Sequence, residues 1–246
     1  TTMKYFVAGT LVLTASGLVA IENIKPGDMV YAADAETLEV STKQVLETYI
    51  RETSSLVHLT INGENIISTY DHPYYVKDKG FVSAEALWIG AELIDKNGNV
   101  VLVEQLYREN LGDESVKVYN FQVEEYHTYF VGRTMILVHN AKYDVGKYNE
   151  MPNEPGMDKH HVPQKAVMKK LDPNYDPSTG PSIKVPKEGH TIKGPRGIVS
   201  RSTKGINSPS ELIMRDINEL RRVYPDIPES SINKLINMFK EMGYKL

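Results

Sequence analysis

The chain has 246 residues, 41% apolar and 24% charged, the balance of a soluble globular protein with room for one large domain or two ordinary ones. It has no cysteine, which excludes disulfides, thiolate nucleophiles and Cys-ligated zinc. The net charge of −4 conceals a division, because residues 1–140 hold 10 Lys and Arg against 19 Asp and Glu, while residues 141–246 hold 18 against 13.

An acidic first part joined to a basic last part implies two units with different partners, 1–140 and 141–246. No run reaches the ~18–20 apolar residues that span a bilayer. The start, TTMKYFVAGTLVLTASGLVAI, places one Lys before an apolar stretch, as a secretory signal does. Gly9, Thr10, Thr14 and Ser16 interrupt it, and it runs on into the strand pattern LVAIENI, so it is read as part of the fold. KPGD (25–28) is a Pro-Gly turn. LVHLTING, NIISTYDHPYYV, AELIDKNGNVVLVEQL, VKVYNFQV and HTYFVGRTMILVHN follow. β-Branched and aromatic residues alternate there with Asn-Gly and Lys-Gly turn signals, which predicts a compact all-β unit.

After Asn140 the pattern changes. Residues 141–207 are rich in Pro and Gly. SPSELIMRDINELRRVYP then predicts a helix, with Ser208 as N-cap, Pro209 at the first helical position and Glu211 at the capping-box site. Leu212, Ile213, Ile217 and Leu220 form its apolar face, and Pro225 stops it. PESSINKLINMFKEMG predicts a second helix ending at Gly243.

Three segments of the first part carry chemistry. One is YFVAGTLVLT. The second is STYDHPYYV, with Thr69 and His72 three apart. The third is YNFQVEEYHTYFVGRTMILVHN, with His127 inside it and His139-Asn140 at its end. Their order, with the KPGD turn, resembles the Hint (hedgehog/intein) family, specifically the pretoxin Hint domains of bacterial polymorphic toxins. The resemblance covers 1–140 and implies a horseshoe-like β fold that brings its two ends together. An Asn amide can attack its own backbone carbonyl, close a succinimide and cut the chain after itself, with histidines moving the protons. By resemblance His139 and His127 assist that step at Asn140, and Thr69 and His72 assist an acyl shift at the other end. The family opens on Cys where this chain has Tyr5, whose rigid phenol cannot reach its own carbonyl. Ala141 lacks the nucleophile that splicing needs. Splicing is therefore expected to be lost, with the cut at Asn140–Ala141 as the remaining reaction. His58 fits no motif and is expected on a strand surface.

The second part carries GMDKHHVPQKAVMKK and then GPSIKVPKEGHTIKGPRGIVSRS. A His-His-x-Pro followed about thirty residues later by Gly-His resembles the HNH/endonuclease VII (ββα-metal) toxin nucleases with AHH- or LHH-type signatures, over roughly 148–207. The resemblance implies an α+β nuclease domain with C-terminal helices, in which His160 and His190 bind a divalent metal and His161 is the general base. The family often has a further ligand where this chain has Gly194, so Asp158 is the candidate third donor. A water-rich site of this kind favours Mg²⁺ or Mn²⁺, and a further imidazole favours Zn²⁺ or Ni²⁺. Lys193, Arg196 and Arg201 are the candidate phosphate contacts.

The combined expectation is an autoprocessing toxin whose Hint unit releases a nuclease acting on nucleic acid, DNA favoured, in the cytoplasm of a target cell. The resemblance further implies delivery by a larger secreted carrier and a dedicated immunity protein. The alternative is an inactive Hint scaffold carrying a non-catalytic basic nucleic-acid-binding module. A metallopeptidase is disfavoured, since there is no HExxH.

Overall fold

The computed structural model describes residues 4–35, 37–140, 143–151, 153, 156–200, 202–225, 227 and 229–246. The chain divides into two compact units meeting at residues 141 and 142.

The first unit is all β with two short 3-10 turns. Its strands are β1 (Phe6–Val7), β2 (Leu11–Thr14), β3 (Gly17–Ala20), β4 (Met29–Ala33), β5 (Val40–Thr53), β6 (Ser55–Ile61), β7 (Glu64–Ser68) and β8 (Pro73–Val76). They continue with β9 (Gly80–Ser83), β10 (Glu92–Ile94), β11 (Val100–Leu102), β12 (Gln105–Asn110), β13 (Val116–Val123), β14 (Thr128–Val131) and β15 (Ile136–His139). They form one curled antiparallel sheet in the order β11-β10-β8-β15-β14-β2-β4-β5-β13-β1-β7-β6-β12, with β3 on β2 and β9 on β8. The long β5 pairs with β4 through its first half and with β13 through its second. A register shift at Gln122/Val123 lies beside that crossing, where an extra residue bends and twists a strand. The sheet thereby curls around a core that includes Phe6, Val57, Leu59, Tyr74, Phe121 and Tyr129. The KPGD turn forms as expected: Asp28 N–H donates to the Lys25 carbonyl at 3.1 Å, and Gly27 sits at φ +95°, which the third residue of a type II turn requires.

The second unit is α+β. Its strands are β16 (Val145–Lys147), β17 (Met157–His161) and β18 (Pro181–Pro186), and its helices are α1 (Lys165–Leu171), α2 (Pro209–Val223) and α3 (Glu229–Glu241). The two strands before α1 do not pair with each other, because β18 lies between them. Met168 of α1, Leu212, Ile213, Ile217 and Leu220 of α2, and Ile232, Leu235 and Phe239 of α3 join Ile183 and Val185 of β18 in one core. Gly180 admits Tyr175 to this core, since a Cβ there would stand 2.1 Å from the phenol oxygen.

The helix signals are realised with one shift. Ser208 Oγ accepts from Glu211 N–H at 3.2 Å, but Glu211 reaches back one residue further than the capping box expects, to Asn207 N–H at 2.8 Å. α2 ends at Val223, ahead of Pro225. Gly243 closes α3 at φ +93°.

Asp216 of α2 is buried. Its Oδ2 accepts from Gln164 N–H at 2.7 Å, at the cap of α1. Burial pushes its pKa up to about 6, against the pull of Arg215 beside it. The folded state therefore holds this proton more tightly than the unfolded chain. The resulting stabilisation is complete below the unfolded carboxyl pKa and lost as pH rises through about 6. A shift of about two units corresponds to roughly 3 kcal/mol at most. The far-ultraviolet helical signal reports on this unit, because all α-helices among the described residues lie in it. Its urea midpoint should fall between pH 4 and 7. Asp216→Asn, which keeps an acceptor for Gln164, should flatten that dependence; an unchanged profile would rule this account out.

Candidate functional site

In the first unit the candidate residues converge from three strand ends. Tyr5 precedes β1, which lies between β13 and β7 with Phe6 opposite Tyr119 and Ser68. Thr69, just past β7, grips the Tyr5 peptide from both sides: Tyr5 N–H donates to Thr69 Oγ1 at 3.0 Å, and Thr69 N–H donates to the Tyr5 carbonyl at 2.9 Å. The Tyr5 ring is buried with Leu56 and Val118. His72 is fully buried, its ring 4.1 Å from that of Phe6. Burial holds its pKa well below the usual histidine value, and the charges of Lys4 and His139 add to this against a backbone hydrogen bond at Lys4. His72 is thus a neutral imidazole within electrostatic reach of both ends of the unit.

At the other end, His139 closes β15 opposite Thr128 of β14. Thr128 is itself anchored, since its hydroxyl donates to the Ala33 carbonyl at 2.6 Å and accepts from Ala33 N–H at 2.9 Å. The His139 ring lies 4.8 Å from that of Phe81. Asn140 is buried. Its backbone N–H donates to the His127 carbonyl at 2.9 Å, and its side-chain amide donates to the Phe121 carbonyl. The Asn140 Oδ1 has no hydrogen-bond partner among the described residues. His127 holds the left-handed conformation at φ +54°, two residues after Glu125 at +58°. A non-glycine residue there costs of order 1–3 kcal/mol, and such strain concentrates at functional sites. Thr69, His72, His127, His139 and Asn140 therefore belong to one connected region. Ala141, across the expected cut, lies outside the described residues.

Sequence reasoning missed the Phe121 carbonyl and the burial of Lys4. A carbonyl has no residue-type signature, and a terminal Lys gives no burial signal. His58 departs from its expected place on the surface. Tyr107 of β12 pairs opposite it and stacks on its ring at 4.3 Å, and His58 Nε2 meets Glu109 at 2.6 Å.

In the second unit, alternation along β17 splits the histidine pair between faces. Asp158 lies two residues from His160, on the same face. His190, after β18, comes to them: its Nδ1 donates to Asp158 Oδ2 at 2.9 Å, and its ring stands edge-on to His160 at 4.9 Å. Thr191 donates its hydroxyl to the same Asp158 oxygen at 2.7 Å. Burial would raise the Asp158 pKa, but these two hydrogen bonds, with the charges of His190 and Lys187, hold it below the usual carboxylate value.

His161 departs from the expected catalytic cluster. It stacks on Tyr148 at 3.9 Å, and its Nε2 donates to the Pro177 carbonyl at 3.2 Å. Burial, with Lys165 and Lys159 nearby, lowers its pKa against the pull of that carbonyl. The expected metal set is adjacent but not assembled. The Asp158 carboxylate is committed to His190 and Thr191, the His160 Nε2 atom is buried, and no three His, Asp or Glu groups among the described residues stand where they could hold an ion.

A cavity of about 410 Å³ opens beside Asp158 and His190, and its basic residues are Lys159, Lys184 and Lys187. The expected phosphate contacts Lys193 and Arg196 are exposed and are not among its lining residues. Lys193 precedes, and Arg196 lies within, a turn closed by Gly194 and Gly197. Arg201 lies outside the described residues. The sheet pairs Lys159 of β17 directly with Lys184 of β18, which brings these two cations to the cavity in place of those next to His190 in sequence.

The Pretoxin HINT domain family matches residues 11–141. The solution structure of a bacterial intein-like domain from Clostridium thermocellum is 60% identical, with a TM-score of 0.54 over 56% of this chain and 99% of that one. The crystal structure of a DnaB intein from Synechocystis is 17% identical, with a TM-score of 0.48 over 56% of this chain and 99% of that one. Among curated proteins nothing matches the chain. No helix among the described residues is long and apolar enough to cross a membrane.

Proposed function

The chain belongs to the pretoxin HINT family, and from that premise we propose that its first unit cuts the backbone after Asn140 and releases the second unit as a nuclease toxin. The observation that carries the first half is the fixing of Asn140. Its side-chain amide is held by the Phe121 carbonyl and its backbone by strained His127, so the nucleophile is oriented before reaction. In the reaction Asn140 Nδ2 bonds to its own carbonyl carbon and the bond to Ala141 breaks. One proton leaves Nδ2 and one reaches the departing amine of Ala141. In this reading His139 and His127 move them. Intact-mass measurement of the purified chain tests this: two fragments should accumulate, one ending in a succinimide or its hydrolysis product at Asn140, the other beginning at Ala141. A single intact chain would overturn it.

The second half rests on the basic cavity beside the His190–Asp158 pair. Carriage by a secreted protein, action inside a target cell and neutralisation by an immunity protein follow from membership among pretoxins. A binding module in place of a nuclease would retain nucleic acid on the purified chain without shortening it, which gel analysis of labelled RNA and DNA distinguishes.

A further inference from the structure

We propose that the second unit is a metal-independent ribonuclease whose substrate site is the cavity beside β17, with His190 rather than His161 as the base. This inference rests on the reading of that unit as a nuclease.

The argument begins with Asp158. A carboxylate can only accept, so the 2.9 Å bond places a proton on His190 Nδ1, and in the neutral imidazole the lone pair is then on Nε2. A base oriented by a third group is the arrangement proton-transfer sites use. Asp158 is thereby a positioning residue, its oxygen shared between His190 and Thr191. His161 has the reverse assignment: its Nε2 is spent on Pro177, and its ring lies under Tyr148.

The cavity selects an anion. Lys159 is held by the Tyr148 and Met151 carbonyls at 3.4 and 3.2 Å and lies over the Tyr148 ring. Lys184 is buried and stands 3.6 Å from Asp144. Lys187 is exposed beside Asp158. Three lysines in the lining of one cavity suit the oxygens of a phosphodiester.

The donor set selects RNA. Hydrolysis by water needs a strong nucleophile, usually metal-bound hydroxide, and among the described residues no three His, Asp or Glu groups stand where they could hold the ion that makes one. The ribose 2′-hydroxyl supplies a nucleophile already joined to the substrate, next to the phosphorus. DNA lacks it. In the step proposed, His190 Nε2 takes the 2′-hydroxyl proton and the 2′-oxygen bonds to phosphorus. The bond from phosphorus to the 5′-oxygen breaks, and that oxygen takes a proton from the Lys187 ammonium. The products are a 2′,3′-cyclic phosphate and a free 5′-hydroxyl. Proton exchange with water restores both side chains.

The test uses the full chain with EDTA present, on labelled RNA, on the same RNA with a single 2′-deoxy nucleotide at a cleaved position, and on DNA. Expected are RNA cleavage, 2′,3′-cyclic phosphate ends, protection at the 2′-deoxy position and intact DNA. His190→Gln should lower the rate by at least about 100-fold, the scale of lost general-base catalysis, and His161→Gln should leave it close to wild type. Asp158→Asn should lower kcat with little change in KM, and Lys187→Ala should also raise KM. End-group analysis needs no variant, so a misfolded substitution cannot decide the matter. Cleavage that appears only with Mg²⁺, Mn²⁺, Zn²⁺ or Ni²⁺, equal cleavage of DNA, or loss of activity in His161→Gln alone would overturn this inference and leave the nuclease reading standing. No cleavage of RNA or DNA with or without those ions would overturn both.

Discussion

Asn140→Ala abolishes the cut between the two units, and the purified variant stays at full mass under conditions in which the wild-type chain is processed. Its methyl group has no nitrogen to attack the backbone carbonyl, so the intramolecular advantage, up to ~7–11 kcal/mol, is lost entirely. His139→Ala behaves differently. It removes a proton-transfer group and leaves the nucleophile in place, so cleavage slows by about 10²–10⁴-fold and still goes to completion at long times. The ordering separates chemistry from collapse of the fold. Among the described residues Asn140 contributes one side-chain hydrogen bond and one buried acceptor without a partner, so its removal changes stability by only about 1 kcal/mol. If Asn140→Ala is still cut at the same bond, the cyclisation account fails. If His139→Ala is processed at the wild-type rate, His139 has no part in proton transfer.

Tyr5→Cys creates a second cut, at the Lys4–Tyr5 bond, in the presence of a small thiol. Thr69 Oγ1 already accepts the N–H of residue 5 at 3.0 Å, so the leaving nitrogen of an acyl shift is held. Neutral His72 stands beside it. What the wild-type chain lacks is a reachable nucleophile, because the Tyr5 ring is packed against Leu56 and Val118. A thiolate on residue 5 would attack the Lys4 carbonyl carbon and break the bond to its own nitrogen, which takes up a proton. The resulting thioester passes to an added thiol. The readout is loss of residues 1–4 in an intact-mass spectrum, with Asn140→Ala also present to silence the other cut. Truncating the buried ring costs about 3–5 kcal/mol, the scale of aromatic core truncations, so the variant is assayed well below its melting temperature. A full-length mass after prolonged thiol treatment would show that Thr69 and His72 no longer form a working acyl-shift site.

The β character of the first unit was legible because its strands alternate between Gly-containing turns, and Gly27 and Ser208 behave as their local chemistry dictates. His139 and Asn140 were legible because residue type and order carry the resemblance. What escaped was whatever depends on the sheet partner. His58 is covered by Tyr107, which pairs opposite it from 49 residues away. The Phe121 carbonyl that holds Asn140 is backbone and has no letter of its own. In the second unit the sequence pattern grouped His160, His161 and His190, but the direction of each ring is set by residues outside that pattern. Pro177 holds His161, and Asp158 holds His190. The cationic cavity was missed for the same reason, since Lys159 and Lys184 become neighbours only through the pairing of β17 with β18.

The charges of Lys4 and His139 both act on His72, so residues from the first and last stretches of the first unit share one neighbourhood. A module with that property adds mass to a chain without adding length. It can be spliced into a gene, copied in front of a different domain or deleted in evolution without changing the spacing of what lies on either side. The economy that suits it to self-cleavage also makes it portable, and the unit that follows it can be exchanged without rebuilding it.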